Sequence, residues 1–277
     1  MAGVTYTRTG KIAQIRIDAL EGNAFTPQLR RDLNVVLKQY RDDVEAWAAV
    51  LSSAGKDFCL GSADGEPKTT KERNERNRMW AGGYVEVWKP IIAAMQGETK
   101  GEGLALALSC DLRVSTPDAH LSFGVTPMSD PDIVAAWLVP LCGISSAFEM
   151  MYLGRSLGAR EAQDFGLINR PVEKGEAYPM APMEGRLPMT DMRDTVWDPN
   201  GDVRAGAEQF AEEILQYAPL TRTGQKFVSL RAYGVPYHYA QSWLTGPDPY
   251  IGHDRLEGNS AFGENRRPVW TENWMKN

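Results

Sequence analysis

Residues 97–110, GETKGEGLALALSC, constrain this chain more tightly than any other stretch, because the glycines stand only in the turn and the apolar run LALAL has none. A Gly-x-Gly turn that opens an apolar helix directs that helix's first N–H groups out of its end, where they can hold an oxygen carrying developing negative charge. The same pattern is also that of an ordinary turn before a buried helix. Residues 104–108 and 133–139 are apolar but far below the ~20 residues that cross a bilayer, so they predict core rather than membrane spans. With 277 residues and 43% hydrophobic content, the chain can bury the core of one large domain, or of a domain with an appendage.

Local patterns predict alternating strands and helices. Ala13, Ile15 and Ile17 alternate with Gln14, Arg16 and Asp18 as in a half-buried strand. Thr26-Pro27 then starts a helix as N-cap and first helical residue, with Leu29, Leu33, Val36, Leu37 and Tyr40 on its apolar face. A strand over 47–52 runs into AGKDFCLGSADGE, a charged stretch over 68–78 leads to PIIAAMQG, and residues 111–115 and 120–124 read as two short strands. SLGAREAQDFGLINRPV, residues 156–172, reads as a helix closed by Gly166, and helical periodicity prevails from residue 205 onward. Between them, residues 173–204 are rich in Pro, Gly and Met and show neither period. That length suits a lid or a subunit contact, and equally an excursion with no role.

Composition excludes several functions. Lys plus Arg number 30 against 36 Asp plus Glu, a net charge of −6, and no basic block offers a footprint for nucleic acid. The three cysteines, Cys59, Cys110 and Cys142, are widely spaced in apolar segments, which suits reduced thiols and a cytoplasmic setting. The N-terminal MAGVTYTRTGKIAQIRID has no apolar run of signal-peptide type, so neither secretion nor membrane insertion is expected. His120, His238 and His253 have no Cys, His or carboxylate at ligand spacing, so no metal site is expected. Trp80, Trp88 and Trp137 lie in or beside apolar segments, as core or as pocket wall.

A second glycine turn carries chemistry beside the first. In FCLGSADGE, residues 58–66, a Gly-Ser turn after an apolar strand end can aim successive N–H groups into a cleft, since glycine removes the Cβ obstacle. By itself this turn defines no site. The ordered set does: Asn23-Ala24, AVLSSAGKDFCLGSAD, KPIIAAMQG, GEGLALALSCDLRVST, LSFG, LCGISSAFEMMYLGR, AREAQDFGLINRPV and EGNSAFGENRRP. These resemble successive blocks of the crotonase superfamily, the enoyl-CoA hydratase/isomerase fold, along nearly the whole chain.

The resemblance implies an α/β fold, a crotonase-like spiral of ββα units over residues 1–204 with an atypical insertion at about 173–204. It implies a helical C-terminal oligomerisation region over 205–277, a homotrimer or dimer of trimers, and a bent acyl-CoA thioester as substrate. Coenzyme A then enters as part of the substrate, with no separate cofactor. The family's oxyanion hole falls on the backbone N–H groups of Ser62 and Glu102. Many relatives have glycine at the latter, so the Glu102 side chain either crowds the thioester or has a new role.

Both glutamates that activate water in family hydratases are missing, their places falling on Ala105 and Pro127. The Thr-Pro of FGVTP is similar to methylmalonyl-CoA decarboxylase-type members, and the following loop is about four residues shorter than usual, roughly one helical turn. Decarboxylation or C–C cleavage through an enolate is therefore expected over simple hydration. The other expectation is a catalytically silent scaffold binding an acyl-CoA or a protein. Candidate acids and bases are Asp130 and Asp132 in the shortened loop, then Glu66 and Glu98. For the CoA phosphates, Glu21 stands where relatives often have a cation, leaving Arg30, Arg31 and the pair Arg266-Arg267 as candidates.

Overall fold

The computed structural model describes residues 3–63, 69–71, 86–124, 133–172, 202–236, 239 and 252–271. The chain starts as a hairpin of β1 (Gly3–Thr9) and β2 (Ile12–Asp18), paired antiparallel. The predicted alternation holds in β2, where Ala13, Ile15 and Ile17 are fully buried. A short turn, α1 (Leu20–Asn23), follows, with Glu21, Gly22 and Asn23 at positive φ. It is locked by the buried Asn23 side chain, whose Oδ1 accepts from Ala19 N at 2.9 Å while Nδ2 donates to Ala54 O at 2.8 Å and Asp57 O at 2.9 Å. Helix α2 (Pro27–Asp42) then begins as predicted, with Thr26 Oγ1 accepting from Leu29 N at 3.1 Å.

Six strands form the larger sheet, in the order β1-β2-β3-β4-β6-β9, with β3 (Ala48–Ser53), β4 (Ile91–Met95), β6 (Leu112–Ser115) and β9 (Arg170–Pro171). From β2 onward all its pairs are parallel. A smaller sheet has the order β5-β7-β8, from β5 (Glu98–Lys100), β7 (His120–Ser122) and β8 (Ser156–Gly158). The chain thus gives one strand to the large sheet and the next to the small one, β4 then β5 and β6 then β7. Helix α3 (Glu102–Ser109) follows β5 and is buried along almost its whole length.

Strands β3 and β4 are buried at every position, because helices cover both faces of the parallel sheet. Ala49, Leu51, Ala93 and Met95 join the main core with α2 and α3, along with α4 (Ile133–Cys142) and α5 (Ile144–Leu153). Ala48, Val50, Ile92, Ala94 and Val114 face the other way, onto Val203, Ala207 and Ala211 of α7 (Val203–Leu215). The boundary expected between 204 and 205 falls inside this helix, which closes the sheet's outer face. Helices α8 (Pro219–Ala232) and α9 (His253–Gly263) complete the described C-terminal part.

One predicted helix is corrected. The helix expected to end at Gly166 is only the short α6 (Ala159–Asp164), since Ser156–Gly158 pairs with β7; beyond Gly166, Arg170–Pro171 pairs with β6. Strand partners distant in sequence took the backbone hydrogen bonds that a continuous helix would have used. Gly166 does end the helical stretch, at φ +79°. Residues 173–201 lie outside the described residues. Among the described residues, no helix is long and apolar enough to cross a membrane.

Candidate active site

Two chain segments meet between the sheets. After β3, Phe58 N donates to Gln96 O at 2.8 Å and Cys59 N to Glu98 O at 3.2 Å, while Lys100 N donates back to Cys59 O at 2.9 Å. Cys59 is thereby bridged in parallel to Thr99 on β5. Counting three residues forward from each partner reaches Ser62 on one segment and Glu102 on the other. The predicted glycines permit this approach: a Cβ on Gly103 would lie 2.5 Å from Cys59 Cβ and 2.6 Å from Cys59 O, and Gly61 has a φ of +96°.

Each segment directs its peptide groups locally. Phe25 N donates to Gly61 O at 2.7 Å and Ala63 N to Phe25 O at 2.8 Å, so the intervening peptide N–H of Ser62 faces the opposite side, by strand alternation. On the other segment, Gly101 is the N-cap of α3, and the first helical hydrogen bond is Ala105 N to Gly101 O at 3.0 Å. The Glu102 N–H belongs to the first turn, whose N–H groups point out of the helix end, the positive end of its dipole.

Glu102 itself answers the question its sequence position raised. Its side chain is 1% exposed and turns under the site, with Oε2 2.6 Å from Arg30 Nη2. Arg30, on the first turn of α2, is 3% exposed, and the same Nη2 donates to Ser62 Oγ at 3.1 Å. The guanidinium carbon stands 6.0 Å from the centre of the Phe25 ring. Arg30 therefore does not face solvent, where a CoA phosphate would lie, and the expectation for it is corrected. Its place beside Leu29 and Leu33 on the buried stripe is the sequence signal that could have shown this: a cation in an apolar face needs an acid, and Glu102 opens a buried helix. Nearby, Cys59 Sγ donates to Asn23 O at 3.1 Å, and burial pushes this thiol up to about 12, with the Glu102 charge adding to the shift. Cys59 is a packed, protonated thiol rather than a nucleophile.

The remaining candidates among the described residues are dispersed. Ala105, at one of the two missing glutamate places, is buried on α3 one turn beyond Glu102 and offers only a methyl group. Asp130, Asp132, Glu66, Pro127, Trp80 and His238 lie outside the described residues. Glu98 is four residues before Glu102, roughly 10–13 Å away along β5, and its Oε2 is 3.2 Å from Lys100 Nζ. Arg31 donates to Gln28 Oε1 at 2.7 Å on the exposed side of α2. Arg266 is held by Glu257 at 2.6 and 3.0 Å and by Glu264 at 2.6 Å; these bonds raise its pKa and lower that of Glu257 to about 2.

A cleft of about 480 Å³ adjoins the first segment, lined by Ala24, Thr26, Leu29 and Ala63, with Glu21 and Asp32. Among the described residues lining it there is no Lys or Arg. His120 Nδ1 lies 3.0 Å from Asp118 O, and among the described residues no group of three or more His, Cys, Asp or Glu is placed to hold a metal. Trp88 packs on Phe227 with ring centres 4.8 Å apart, and Trp137 is partly buried against the core.

A strand-end turn and a helix N-terminus held side by side by backbone hydrogen bonds make an arrangement suited to accepting an oxyanion, on a fold with two interleaved sheets. The family model for enoyl-CoA hydratase/isomerase matches residues 7–177, and the chain belongs to this family, within the crotonase superfamily. It is similar to the carnitinyl-CoA dehydratase of Escherichia coli K12, 26% identical over 280 residues, covering 95% of this chain and 96% of that protein. The same similarity, 26%, is found to the carnitinyl-CoA dehydratase of Salmonella typhi. Among solved structures, an enoyl-CoA hydratase from Bacillus anthracis superposes with a TM-score of 0.78 at 23% identity, covering 96% of this chain and 98% of that one. An enoyl-CoA hydratase/carnithine racemase from Magnetospirillum magneticum superposes at 0.76 and 24% identity, covering 98% and 96%. At these identities the structural likeness speaks for the fold alone.

Proposed function

We propose that this protein is an enzyme acting on an acyl-CoA thioester, whose carbonyl oxygen lies between the backbone N–H groups of Ser62 and Glu102 as the enolate forms. The observation that supports the reading is the parallel pairing of Cys59 with Thr99, which brings together the two segments that run on to Ser62 and Glu102. The dehydratase relatives support CoA thioester chemistry as the class. Coenzyme A is then part of the substrate, with no other cofactor required.

Decarboxylation or C–C cleavage suits the site better than hydration. Activating water takes an acid/base pair, and Ala105 supplies a methyl group where one member would stand. In decarboxylation, the bond from the α-carbon to the carboxylate breaks, carbon dioxide leaves, and the electron pair passes to the thioester oxygen. The enolate then takes up a proton at the α-carbon. Asp130 and Asp132 are the proposed proton carriers, and Arg266 a proposed phosphate contact that would have to give up Glu257 and Glu264. Exposed Leu230, Tyr233, Leu256 and Phe262 on and beside α8 and α9 support self-association, proposed as a homotrimer or dimer of trimers.

A panel of enoyl-, malonyl- and β-ketoacyl-CoAs followed by mass spectrometry tests this reading. Product from a malonyl- or β-ketoacyl-CoA is expected, and hydration of an enoyl-CoA faster than either would refute the preference. The cleft lined by Glu21 and Asp32 favours a second reading, a scaffold that binds CoA esters weakly without turnover. Thermal stabilisation by CoA esters with no product from the whole panel would select it.

A further inference from the structure

We infer that Arg30 is a positioning residue that clamps the two oxyanion segments to each other, setting the spacing between the Ser62 and Glu102 N–H groups. The clamp rests on the reading of those N–H groups as the oxyanion hole, but its geometry stands independently. One nitrogen, Nη2, reaches both segments, at 3.1 Å to Ser62 Oγ and 2.6 Å to Glu102 Oε2. The backbone link between the segments, Lys100 N to Cys59 O, lies two to three residues behind these positions. Ahead of it the backbone groups turn to other partners, Gly61 O to Phe25 N at 2.7 Å and Gly101 N to Ser122 O at 3.2 Å, and the guanidinium spans the joint between the two segments there.

Its base is rigid. Arg30 projects from the first turn of α2, whose Leu29, Leu33 and Leu37 are buried in the main core, and Asn34 Nδ2 holds the Arg30 carbonyl at 3.0 Å. Both charges are removed from water, where a planar guanidinium can serve two acceptors at fixed angles and an ammonium would lose that geometry. Glu102 is thus the anchor point on α3, its carboxylate placed in the helix's first turn where negative charge is favoured. A glycine there would supply the N–H but nothing for Arg30 to grip.

The test compares wild type with Arg30→Met, Glu102→Gln and Ser62→Ala. Amide hydrogen exchange of the unliganded protein is measured over residues 59–63 and 99–104, with residues 48–53 of β3 as the internal reference. Arg30→Met is expected to speed exchange at least tenfold in both segments and to leave β3 unchanged. Glu102→Gln keeps an acceptor but leaves the buried guanidinium charge uncompensated, so it is expected to speed exchange in both segments, though less than Arg30→Met does. Unchanged exchange in either segment of Arg30→Met overturns the clamp. If that variant does not fold, Ser62→Ala decides: faster exchange at 59–63 supports the clamp and no change overturns it.

The second readout is the near-ultraviolet absorbance of the enolate of bound acetoacetyl-CoA, whose enolate fraction is expected to fall tenfold in Arg30→Met. An unchanged fraction counts against a role in spacing the N–H groups. Failure of the wild type to raise that fraction refutes the oxyanion-hole reading, while the exchange data still decide whether the clamp exists.

Discussion

Gly103→Ala sets two local effects against each other. An alanine inside a helix is favoured over glycine by about 1 kcal/mol, so propensity alone predicts a more stable protein. The added methyl, however, would stand 2.5 Å from Cys59 Cβ, 2.6 Å from Cys59 O and 2.8 Å from Cys59 Sγ. None of these is the loose end of a long side chain, and Cys59 is held by its own N–H and C=O to β5. The two segments must therefore part. Overpacking of this kind costs about 1–3 kcal/mol and here falls on backbone, at or above the top of that range, so it outweighs the propensity gain and leaves a net loss of about 2 kcal/mol. For a chain of this size that lowers the thermal midpoint by about 4–8 °C. Calorimetry on matched samples measures it. A midpoint equal to or above wild type would show that the segments are not packed as tightly as their hydrogen bonds require. The same variant is expected to lose acyl-CoA turnover by more than its stability loss explains, since parting Cys59 from Gly103 also parts the segments that carry Ser62 and Glu102.

Lys89→Met is expected to destabilise the protein by about 3 kcal/mol or more in urea unfolding. The Lys89 ammonium is buried and donates to the carbonyls of Tyr40, Asp43 and Ala46, the latter two at 2.9 and 3.0 Å, closing the C-terminal end of α2. The C-terminal segment is expected to loosen in acid. The folded pKa of Glu257 is depressed to about 2, chiefly by Arg266 and then by Val269 N–H, so its contribution is present above the ordinary carboxylate pKa and lost as pH falls through about 2. Trp270, which donates to Gln216 O at 2.8 Å, reports this as a fluorescence change below pH 4.5, the ordinary value, and Glu257→Gln should show the loosened signal already at neutral pH.

Much of the frame was legible in order along the chain. The alternation in residues 13–17 became β2, Thr26-Pro27 began α2, and the glycines at 61, 101 and 103 marked the two segments that meet at the site. Each of these is a demand on φ, ψ or side-chain period, and is met by neighbouring residues. What a buried polar group pairs with is not local. Arg30 read as a candidate for the CoA phosphates because its acid stands 72 residues away, and the strand at Ser156–Gly158 looked helical because its partner is β7. The outer face of the sheet likewise waited for α7, on the far side of residues 173–201. The sequence by itself determined which residues turn, cap and alternate; tertiary packing alone decided that Glu102 points inward, because only the approach of α2 brings it a guanidinium and removes both charges from water.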